Sequence, residues 1–337
     1  MTYSFQFHPY QHRFRQPLRT HHGIWEVREG IILQLKDERG IEGWGEIAPL
    51  PWFGSETLAQ ALAYCQQLGN EVAEEAIAAI PNTHPACQFG FESASSEIMC
   101  QLSSQSNNLA KPKSSIPSFQ YTALLPAGED ALSAWKLAWD RGRRTFKWKI
   151  GVESLREELR LFSHLLRQWP ADAKLRLDAN GGLNFDSARH WLKAADDAGI
   201  VEFIEQPLPP SEWEKLLELG DRAVTPLALD ESVATVEQLE DCYAKGWRSI
   251  FVIKAAIAGS PQRLRQFCNN HPIDAVFSSV FETSVGRKAA LKLAAELANP
   301  KRALGYQQPT GERESEGAGE AGEAGEAGEA GEQGSRV

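Results

Sequence analysis

Five charged residues recur at nearly constant spacing in this sequence, each at the end of a short apolar run. They are Lys149, Asp178, Glu205, Asp230 and Lys254, and the successive gaps are 29, 27, 25 and 24 residues. One strand with its helix occupies such a length, so each residue is predicted to end one strand of a repeated β/α unit. The carboxyl ends of the strands of a parallel barrel open on one face, where active sites of this architecture lie. A single charged strand end is usually only solvated, but five in register predict a shared site.

Three of these residues are carboxylates without a neighbouring histidine or thiolate. Asp178, Glu205 and Asp230 form an oxygen-only donor set, which favours Mg²⁺ or Mn²⁺ over zinc. Three protein ligands leave positions for water and substrate oxygens, so that the ion could act as a Lewis acid on a bound carboxylate. Asn180, two residues after Asp178, and Glu231, beside Asp230, are expected to support these ligands.

Two lysines lie two residues apart in the second predicted strand. Lys147 and Lys149 therefore point to the same face, which is inward in a barrel, while Trp148 and Ile150 point outward against helices. Adjacent ammonium groups near a divalent cation are expected to depress one another's pKa, which makes a lysine a usable general base near neutral pH. Lys254 would face this pair from the opposite wall.

The elements that must position these residues form a repeating pattern after residue 115. Eight short apolar runs alternate with helical periodicity, which predicts a parallel sheet, and the count favours a closed (β/α)8 barrel over an open doubly wound sheet. The predicted strands are 119–125, 145–150, 174–178, 201–205, 226–230, 249–254, 274–279 and 302–306. The predicted helices include 154–168, 185–198, 211–219, 236–245, 261–269 and 284–297.

The N-terminal part has a different pattern. Residues from 3 to about 50 alternate polar and apolar side chains around the turn at 37–40, which predicts an antiparallel hairpin. Helical spacing at 56–69 and 86–102 completes an α+β domain. We therefore predict an α/β protein with an α+β domain at 1–102, a polar linker at 103–115, the barrel at 116–310, and a disordered Gly/Glu/Ala tail at 311–337.

Composition and charge exclude several other classes of protein. The 337 residues are 42% hydrophobic and 24% charged, which argues against a disordered, collagen-like or coiled-coil chain. Of the net charge of −10, residues 311–337 carry −6, from eight Glu against Arg313 and Arg336, which leaves −4 for the rest. A mildly acidic body without a basic stripe predicts no nucleic-acid partner and no membrane partner, and favours a small-molecule substrate.

The sequence also bears on the compartment and on organic cofactors. Five widely spaced cysteines without a C-x-x-C pair, the lack of a signal peptide and the lack of an apolar run of about 18 residues are typical of a soluble cytoplasmic protein. Neither a G-x-G-x-x-G nor a Walker-type loop occurs, so we expect no organic cofactor. The oligomeric state stays open, and a monomer is compatible with the sequence.

The motifs together resemble a known family. K-x-K at 147–149, D-x-N at 178–180, E-Q-P at 205–207, D-E-S at 230–232 and a lysine ending the sixth strand are similar to the muconate-lactonizing subgroup of the enolase superfamily. Within it, these motifs, the R-L-D-A-N of 176–180 and the serine-containing segment 278–286 resemble the o-succinylbenzoate synthase family. The resemblance runs from about residue 20 to 306, and it makes 1–102 a capping domain whose segments 43–51 and 53–57 resemble a loop that closes over substrate.

The resemblance implies an activity and roles for the lysines. Members of the family dehydrate 2-succinyl-6-hydroxy-2,4-cyclohexadiene-1-carboxylate to o-succinylbenzoate in menaquinone or phylloquinone synthesis. By resemblance, Lys149 takes the proton α to the ring carboxylate and returns it to the departing hydroxyl. Lys254 would supply positive charge, Lys147 would tune Lys149, and Mg²⁺, or Mn²⁺ in its place, would stabilise the enediolate.

The resemblance also implies substrate contacts. It places Arg176, Asn180, Ser278, Ser279 and Gly286 at the substrate, which is a small-molecule carboxylate, and the last three against its succinyl group. Glu231 would lie behind the metal ligands.

Other functions stay open beside this one. An N-succinylamino acid racemase or dipeptide epimerase of the same superfamily would use the same lysines, although the serine-containing segment favours the synthase and the absence of D-x-D near the eighth strand counts against an epimerase. An inactive barrel that serves as a binding protein is the third alternative. It arises from the C-terminus, where polar residues from Gln307 onward replace the apolar end of the family. We therefore expect a short eighth strand and an uncovered edge of the cap.

Overall fold

The computed structural model describes residues 1–20, 23–106 and 117–306. The predicted tail at 311–337 and residues 107–115 of the predicted linker lie outside the described residues. The first linker residues, 103–106, are helical, and the hydroxyls of Ser103 and Ser104 donate to the carbonyls of Met99 and Cys100 one turn earlier. The last helix of the N-terminal domain therefore continues beyond residue 102.

An antiparallel sheet forms the N-terminal domain, as the alternating pattern predicts. Its strands run in the order β3-β2-β1-β4. Over 3–5 of β1 and 31–35 of β2 every second side chain is buried on one face, among them Tyr3 and Phe5 and Ile31 and Leu33. The bounds are β1 (Thr2–Thr20), β2 (Gly23–Lys36), β3 (Glu42–Ile47) and β4 (Glu71–Ala73).

Three helices cover this sheet: α1 (Leu58–Leu68), α2 (Glu74–Ala78) and α3 (Pro85–Ser106). The long helix α3 packs directly against β3. A Cβ placed on Gly43 or Gly45 would come within 2.0 Å of the carbonyl oxygen of Ala94 or Gly90, respectively. The glycines of the Gly-Trp-Gly segment are therefore required for the close approach of strand and helix.

Seven parallel strands in sequential order make the wall of the barrel. They are β5 (Ala123–Leu125), β6 (Thr145–Lys149), β7 (Lys174–Asp178), β8 (Val201–Glu205), β9 (Leu227–Leu229), β10 (Ile250–Ile253) and β11 (Asp274–Phe277). The helices are α4 (Ala131–Asp140), α5 (Leu155–Leu166), α6 (Phe185–Ala198), α7 (Trp213–Arg222), α8 (Val236–Ala244), α9 (Ala255–Ala258), α10 (Pro261–Asn270) and α11 (Ser284–Leu297). The predictions for 185–198 and 284–297 are confirmed to the residue.

The predicted eighth strand is reduced to a short closing segment. Leu304 bridges to Tyr121 before β5, and Gly305 bridges to Ser278 after β11. Backbone hydrogen bonds secure both sides: Leu304 N donates to Gln120 O at 2.8 Å, and Gly305 N donates to Phe277 O at 2.8 Å. The first and last strands are thus joined through this segment, and the expectation of a short eighth strand is confirmed.

The alternation of side chains along the strands separates the inside of the barrel from the outside. Trp148 points outward, as predicted, and its ring lies 5.9 Å from that of Trp191 on α6. The inner wall carries an apolar layer formed by Phe203, Ala228, Ile250, Val252 and Val276. The charged strand ends lie next to this layer. Within the described residues, no helix has both the length and the apolar character needed to cross a membrane.

Candidate active site

Three carboxylates end three neighbouring strands. Asp178 and Glu205 are the last residues of β7 and β8 and are partners across the parallel ladder, while Asp230 directly follows β9. Because directions alternate along a strand, the register that points Leu177 and Ile204 outward turns both carboxylates inward. The residues Asp178, Glu205 and Asp230 are 7%, 2% and 2% exposed. The sequence-predicted ligand residues are therefore brought to the same end of the barrel.

Two lysines pair with these carboxylates, and a third stands apart. Lys147 Nζ lies 2.8 Å from Asp178 Oδ2 and 2.7 Å from Glu205 Oε1, and the Lys254 ammonium pairs directly with Asp230. The backbone of Lys149 pairs with Asp178 in the ladder. Its half-buried side chain, by contrast, has no hydrogen-bond or ion-pair partner in the part of the chain that the structure describes.

The pKa of Lys147 is set by the carboxylates around it. Burial by itself lowers the pKa of this ammonium, but the charges of Asp178 and Glu205 outweigh burial and raise the pKa above its usual value. The nearest charges to Lys147 are carboxylates rather than the ammonium of Lys149. The expectation that neighbouring lysines depress one another's pKa stays a prediction, because it concerns the site with a bound divalent cation.

The carboxylates are only partly neutralised by the lysines. Burial, with repulsion from Asp178 and Asp230, raises the pKa of Glu205 to about 8, although the charge of Lys147 opposes this. Burial and repulsion from Glu231 likewise raise the pKa of Asp230 to about 6 against the effect of its lysine partner. Asp178 is buried too, but its pairing with Lys147 outweighs burial and lowers its pKa. An added cation would relieve the repulsion between these groups.

The donor set fits a hard divalent cation in its chemistry. Carboxylate oxygens are the ligands that Mg²⁺ and Mn²⁺ prefer. Among residues 1–20, 23–106 and 117–306, no three acidic, histidine or cysteine side chains stand together at metal-binding spacing. The ammonium groups of Lys147 and Lys254 lie against these oxygens instead. A cation that binds here has to take over the contacts of the ammonium groups.

Comparison with known proteins assigns both parts of the chain. Residues 130–314 match the family described as "Enolase C-terminal domain-like", and residues 4–98 match "MenC, N-terminal domain". An o-succinylbenzoate synthase from Thermosynechococcus vestitus is 40% identical over 305 residues, which cover 89% of this chain and 91% of that protein. The chain belongs to the o-succinylbenzoate synthase family of the enolase superfamily.

Other relatives agree with this membership. The o-succinylbenzoate synthase of Haemophilus influenzae is 31% identical and covers 79% of this chain and 78% of its own length. The crystal structure of o-succinylbenzoate synthase from Thermosynechococcus elongatus BP-1, complexed with Mg in the active site, matches with a TM-score of 0.80 at 40% identity, over 90% of this chain and 92% of that chain. A dipeptide epimerase from Enterococcus faecalis, with a TM-score of 0.78 but 22% identity over 90% of each chain, shares the fold.

Membership of the o-succinylbenzoate synthase family confirms three predictions. The resemblance drawn from the motifs is confirmed, and so is the fold class of a barrel with an N-terminal α+β domain. The protein is an enzyme and a lyase, as its curated relatives are. The racemase, epimerase and inactive-barrel alternatives are not favoured by these relatives.

One residue that holds the site of this synthase family member together was not singled out from the sequence. Gln206, in the Glu-Gln-Pro motif, is fully buried with φ of 36°. Its Oε1 accepts from the backbone N–H groups of Asp230 and Ser232 at 3.0 and 3.1 Å, and its Nε2 donates to Ser232 Oγ at 2.7 Å. Gln206 therefore fixes the backbone that presents Asp230. The motif itself was the available signal.

Asn180 and Glu231, the two residues predicted to support the metal ligands, contact each other. Asn180 Nδ2 donates to Glu231 Oε1 at 3.0 Å, and Asn180 N donates to Asp178 Oδ1 at 3.1 Å. Asn180 has φ of 44°, in the left-handed region that asparagine tolerates better than most residues. The pair thus links the loops that follow β7 and β9.

Arg176 lies deeper in the barrel than the carboxylates. It precedes Asp178 by two residues on the same inward face, which places it about 7 Å farther along the strand. Its Nε donates to Glu202 Oε2 at 2.6 Å, and its Nη1 donates to Thr122 Oγ1 at 2.9 Å. The guanidinium is 1% exposed and lies over the ring of Phe203. Its described contacts are therefore all within the barrel.

The residues predicted at the succinyl group lie around one loop. Ser278 Oγ donates to Gly305 O at 3.3 Å, and Ser279 Oγ donates to Glu282 Oε2 at 2.8 Å. The backbone N–H of Gly286 donates to Glu46 Oε2 of the N-terminal domain at 2.9 Å.

The N-terminal domain reaches the site through a short turn. Phe53, at the end of the turn Pro51–Phe53, lies with its ring centroid 3.9 Å from Lys254 Nζ. The contact is a cation–π interaction that covers the ammonium group paired with Asp230. The segment that resembles a capping loop thus lies directly against one of the predicted catalytic lysines.

Proposed function

We propose that the protein is an o-succinylbenzoate synthase in which Lys149 is the general base and then the general acid. It dehydrates 2-succinyl-6-hydroxy-2,4-cyclohexadiene-1-carboxylate to o-succinylbenzoate, a step of menaquinone or phylloquinone synthesis. The arrangement of three lysines around three carboxylates carries the proposal. Lys147 and Lys254 are bound to carboxylates, whereas Lys149 has its ammonium group free among the described residues.

The three carboxylates are proposed as the ligands of Mg²⁺, with Mn²⁺ as a substitute. The buried oxygens of Asp178, Glu205 and Asp230 supply hard donors, and the relative from Thermosynechococcus elongatus BP-1 is described with Mg in its active site. Bound there, the ion would stabilise negative charge that develops on the ring carboxylate. Asn180 and Glu231 would keep the loops that carry the ligands in place.

The proton transfer balances without an organic cofactor. Lys149 Nζ removes the proton from the ring carbon that bears the carboxylate, and the electron pair becomes a ring double bond as the neighbouring C–O bond breaks. The same proton passes from Lys149 to the leaving oxygen, so that water departs and both steps use one face of the ring. Lys254, covered by Phe53, adds positive charge from the opposite wall, and Lys147 adds positive charge beside Asp178 and Glu205. Formation of the aromatic ring drives the reaction.

Of the remaining predicted residues, the two serines are proposed to act on the substrate side arm. Ser278 and Ser279 would offer their hydroxyls to the succinyl group. Arg176 and Gly286 would act through the protein, because their described polar contacts are with Glu202 and Glu46.

The proposal is tested by following aromatic product formation by the purified protein. We expect rapid conversion with Mg²⁺ and its loss with excess EDTA, with recovery when Mg²⁺ is restored. A lack of conversion under all metal conditions would contradict the synthase activity. Exchange of the α-proton of N-succinylamino acids in D₂O would then support a racemase.

A further inference from the structure

Glu46 is a fully buried carboxylate that the reaction does not use. It lies near the end of β3, yet its side chain reaches the loop between β11 and α11. Its Oε1 and Oε2 lie 2.9 and 3.0 Å from Thr283 N, and its Oε2 accepts from Gly286 N at 2.9 Å. The hydroxyl of Thr283 also donates to it. One side chain of the N-terminal domain therefore binds a loop more than two hundred residues away in the sequence.

The position of Glu46 at the start of α11 is favourable for a carboxylate. Its charge faces the unpaired N–H groups of the first turn, where the helix dipole favours anions. A Cβ on Gly286 would come within 2.9 Å of Glu46 Oε2, so glycine makes the approach possible. From the other side the hydroxyl of Tyr10 donates to Glu46 Oε1 at 2.6 Å. Burial and the charge of Glu46 raise the pKa of Tyr10, which keeps the phenol protonated as a donor.

The loop held by Glu46 carries the serines proposed for the succinyl group. At its start, Ser279 N donates to Gly305 O at 3.1 Å, which fixes the loop to the closing segment of the barrel. In its middle, Ser279 Oγ accepts from Phe281 N at 2.9 Å, and Phe281 has φ of 61°. A left-handed phenylalanine is strained and persists where neighbours hold it. Glu46 fixes the far end of this loop through its hydrogen bonds with Thr283.

Aromatic contacts join the same loop to the N-terminal domain. The ring of Phe281 lies 5.6 Å from that of Phe14 on β1 and 5.6 Å from that of Trp25 on β2. Trp25 in turn lies 5.1 Å from Trp52, which precedes the Phe53 that covers Lys254. The loop after β11 and the capping turn are thus parts of one packed junction.

We propose that Glu46 is a positioning residue for the succinyl end of the site. It acts through Thr283 and Gly286 and holds the loop so that Ser278 and Ser279 face the substrate side arm. This inference rests on the proposed function, since the side arm is that of its substrate. A ligand without a side arm should bind independently of Glu46.

The test compares Glu46→Gln with wild-type enzyme. Glutamine keeps the size of the side chain. Its NH₂ group would meet the backbone N–H of either Thr283 or Gly286, so that one hydrogen bond to the loop is replaced by repulsion between two donors. We expect KM to rise about tenfold with kcat within about threefold, because a contact to substrate that is equal in ground and transition states is lost. A residue needed only for folding would instead reduce the active fraction and leave KM unchanged. That result would overturn the inference.

A binding experiment tests this inference separately from the proposed function. Calorimetry with o-succinylbenzoate and with benzoate needs no turnover. We expect Glu46→Gln to weaken o-succinylbenzoate binding about tenfold and to leave benzoate binding unchanged. Equal losses for both ligands, or none for either, would contradict the inference even if the wild-type enzyme is an active synthase. An inactive wild-type enzyme would contradict the proposed function alone.

Two further variants complete the test. One serves if Glu46→Gln does not fold, and the other is a control. Tyr10→Phe removes only the hydroxyl that supports Glu46 from within its own domain. We expect it to raise KM two- to threefold through the same loop. Glu71→Gln changes an exposed carboxylate on β4 and should leave both KM and binding as in the wild type. If Glu46→Gln does not fold and Tyr10→Phe leaves KM unchanged, the inference fails.

Discussion

The barrel encloses two groups of charged side chains, one near each end of its strands. The upper group lies at the carboxyl ends and consists of Lys147, Lys149, Asp178, Glu205, Asp230 and Lys254. The lower group lies near the amino ends and consists of Arg176, Glu202, Asp274 and Arg302. Both groups contain acids and bases inside the same barrel, but the pKa values of their acids are shifted mainly in opposite directions.

In the lower group the acids are fully matched by guanidinium groups. Arg302 donates to Asp274 through Nε at 2.8 Å and through Nη2 at 2.6 Å, and its Nη1 donates to Glu202 at 3.1 Å. Arg176 donates to Glu202 from the other side at 2.6 Å. These pairings outweigh burial and lower the pKa of both Glu202 and Asp274. Such a bidentate network is typical of a stabilising contact.

In the upper group the pKa values of two of the three carboxylates are shifted in the opposite direction, with Asp178 as the exception. The pKa of Glu205 is raised to about 8 and that of Asp230 to about 6, because burial and mutual repulsion exceed the effect of the lysines. Repulsion of this kind lowers stability and is typical of sites arranged for catalysis or for binding a cation. The lower group should therefore be needed for stability and the upper group for activity.

The largest expected effect is on the activity of the upper group. Replacing Glu205 by Gln should reduce kcat/KM by about 10³-fold, because a ligand of the proposed metal ion is lost. The unfolding free energy of the metal-free protein should stay about the same near pH 7, since the raised pKa of Glu205, about 8, already favours its neutral form there and glutamine has a similar shape. Denaturant unfolding and the dehydration assay measure the two quantities. A large loss of stability with activity retained would contradict the assignment of the upper group to activity.

A smaller and opposite effect is expected in the lower group. Replacing Arg302 by Ala should lower the unfolding free energy by about 2–3 kcal/mol, because Asp274 and Glu202 lose hydrogen bonds to a charged partner. The kcat/KM of the folded enzyme should stay within a few-fold of wild type. Arg265→Ala, which removes a more exposed pair with Glu296, serves as the matched control and should cost less than about 1 kcal/mol.

The smallest expected effect is on the pH dependence of stability. The pKa values of Glu202 and Asp274 are lower in the folded protein than in the unfolded chain, so their contribution is present above pH values of about 4 and is lost as pH falls. The loss of stability with falling pH should be shallower in Arg302→Ala, because the pKa values of Glu202 and Asp274 are lowered less in that variant. Unfolding midpoints between about pH 6 and pH 3 measure this slope. Identical slopes for variant and wild type would show that the lower group does not set the acid limit.

The upper group could be predicted from the sequence because residue type and spacing were sufficient. A charged residue after each apolar run identifies the strand ends, and the parallel topology then brings those ends together. The pKa direction of Lys147 could not be predicted, because it depends on which carboxylates the long side chain reaches. Arg176 could have been placed from its position two residues before Asp178, since alternation sets it one inward layer deeper.

Two other features depend on contacts that local patterns do not contain. The inward direction of the Glu202 side chain depends on an irregular register, because the pairing of β7 with β8 shifts between Leu175 and Arg176. Simple alternation from Glu205 would have pointed Glu202 outward. Glu46 belongs to a strand in the N-terminal domain but meets Thr283 only after the whole chain has folded. The sequence segment itself indicates only a strand with close-packed glycines.

The most direct test of the central claim is the dehydration rate of Lys149→Ala at saturating Mg²⁺, with Lys193→Ala as an exposed control. We predict a loss of about 10³-fold or more for Lys149→Ala, with an unchanged melting temperature, and wild-type turnover for the control. A Lys149→Ala enzyme that retains turnover within about tenfold of wild type would contradict the assignment of Lys149 as the proton-transferring base.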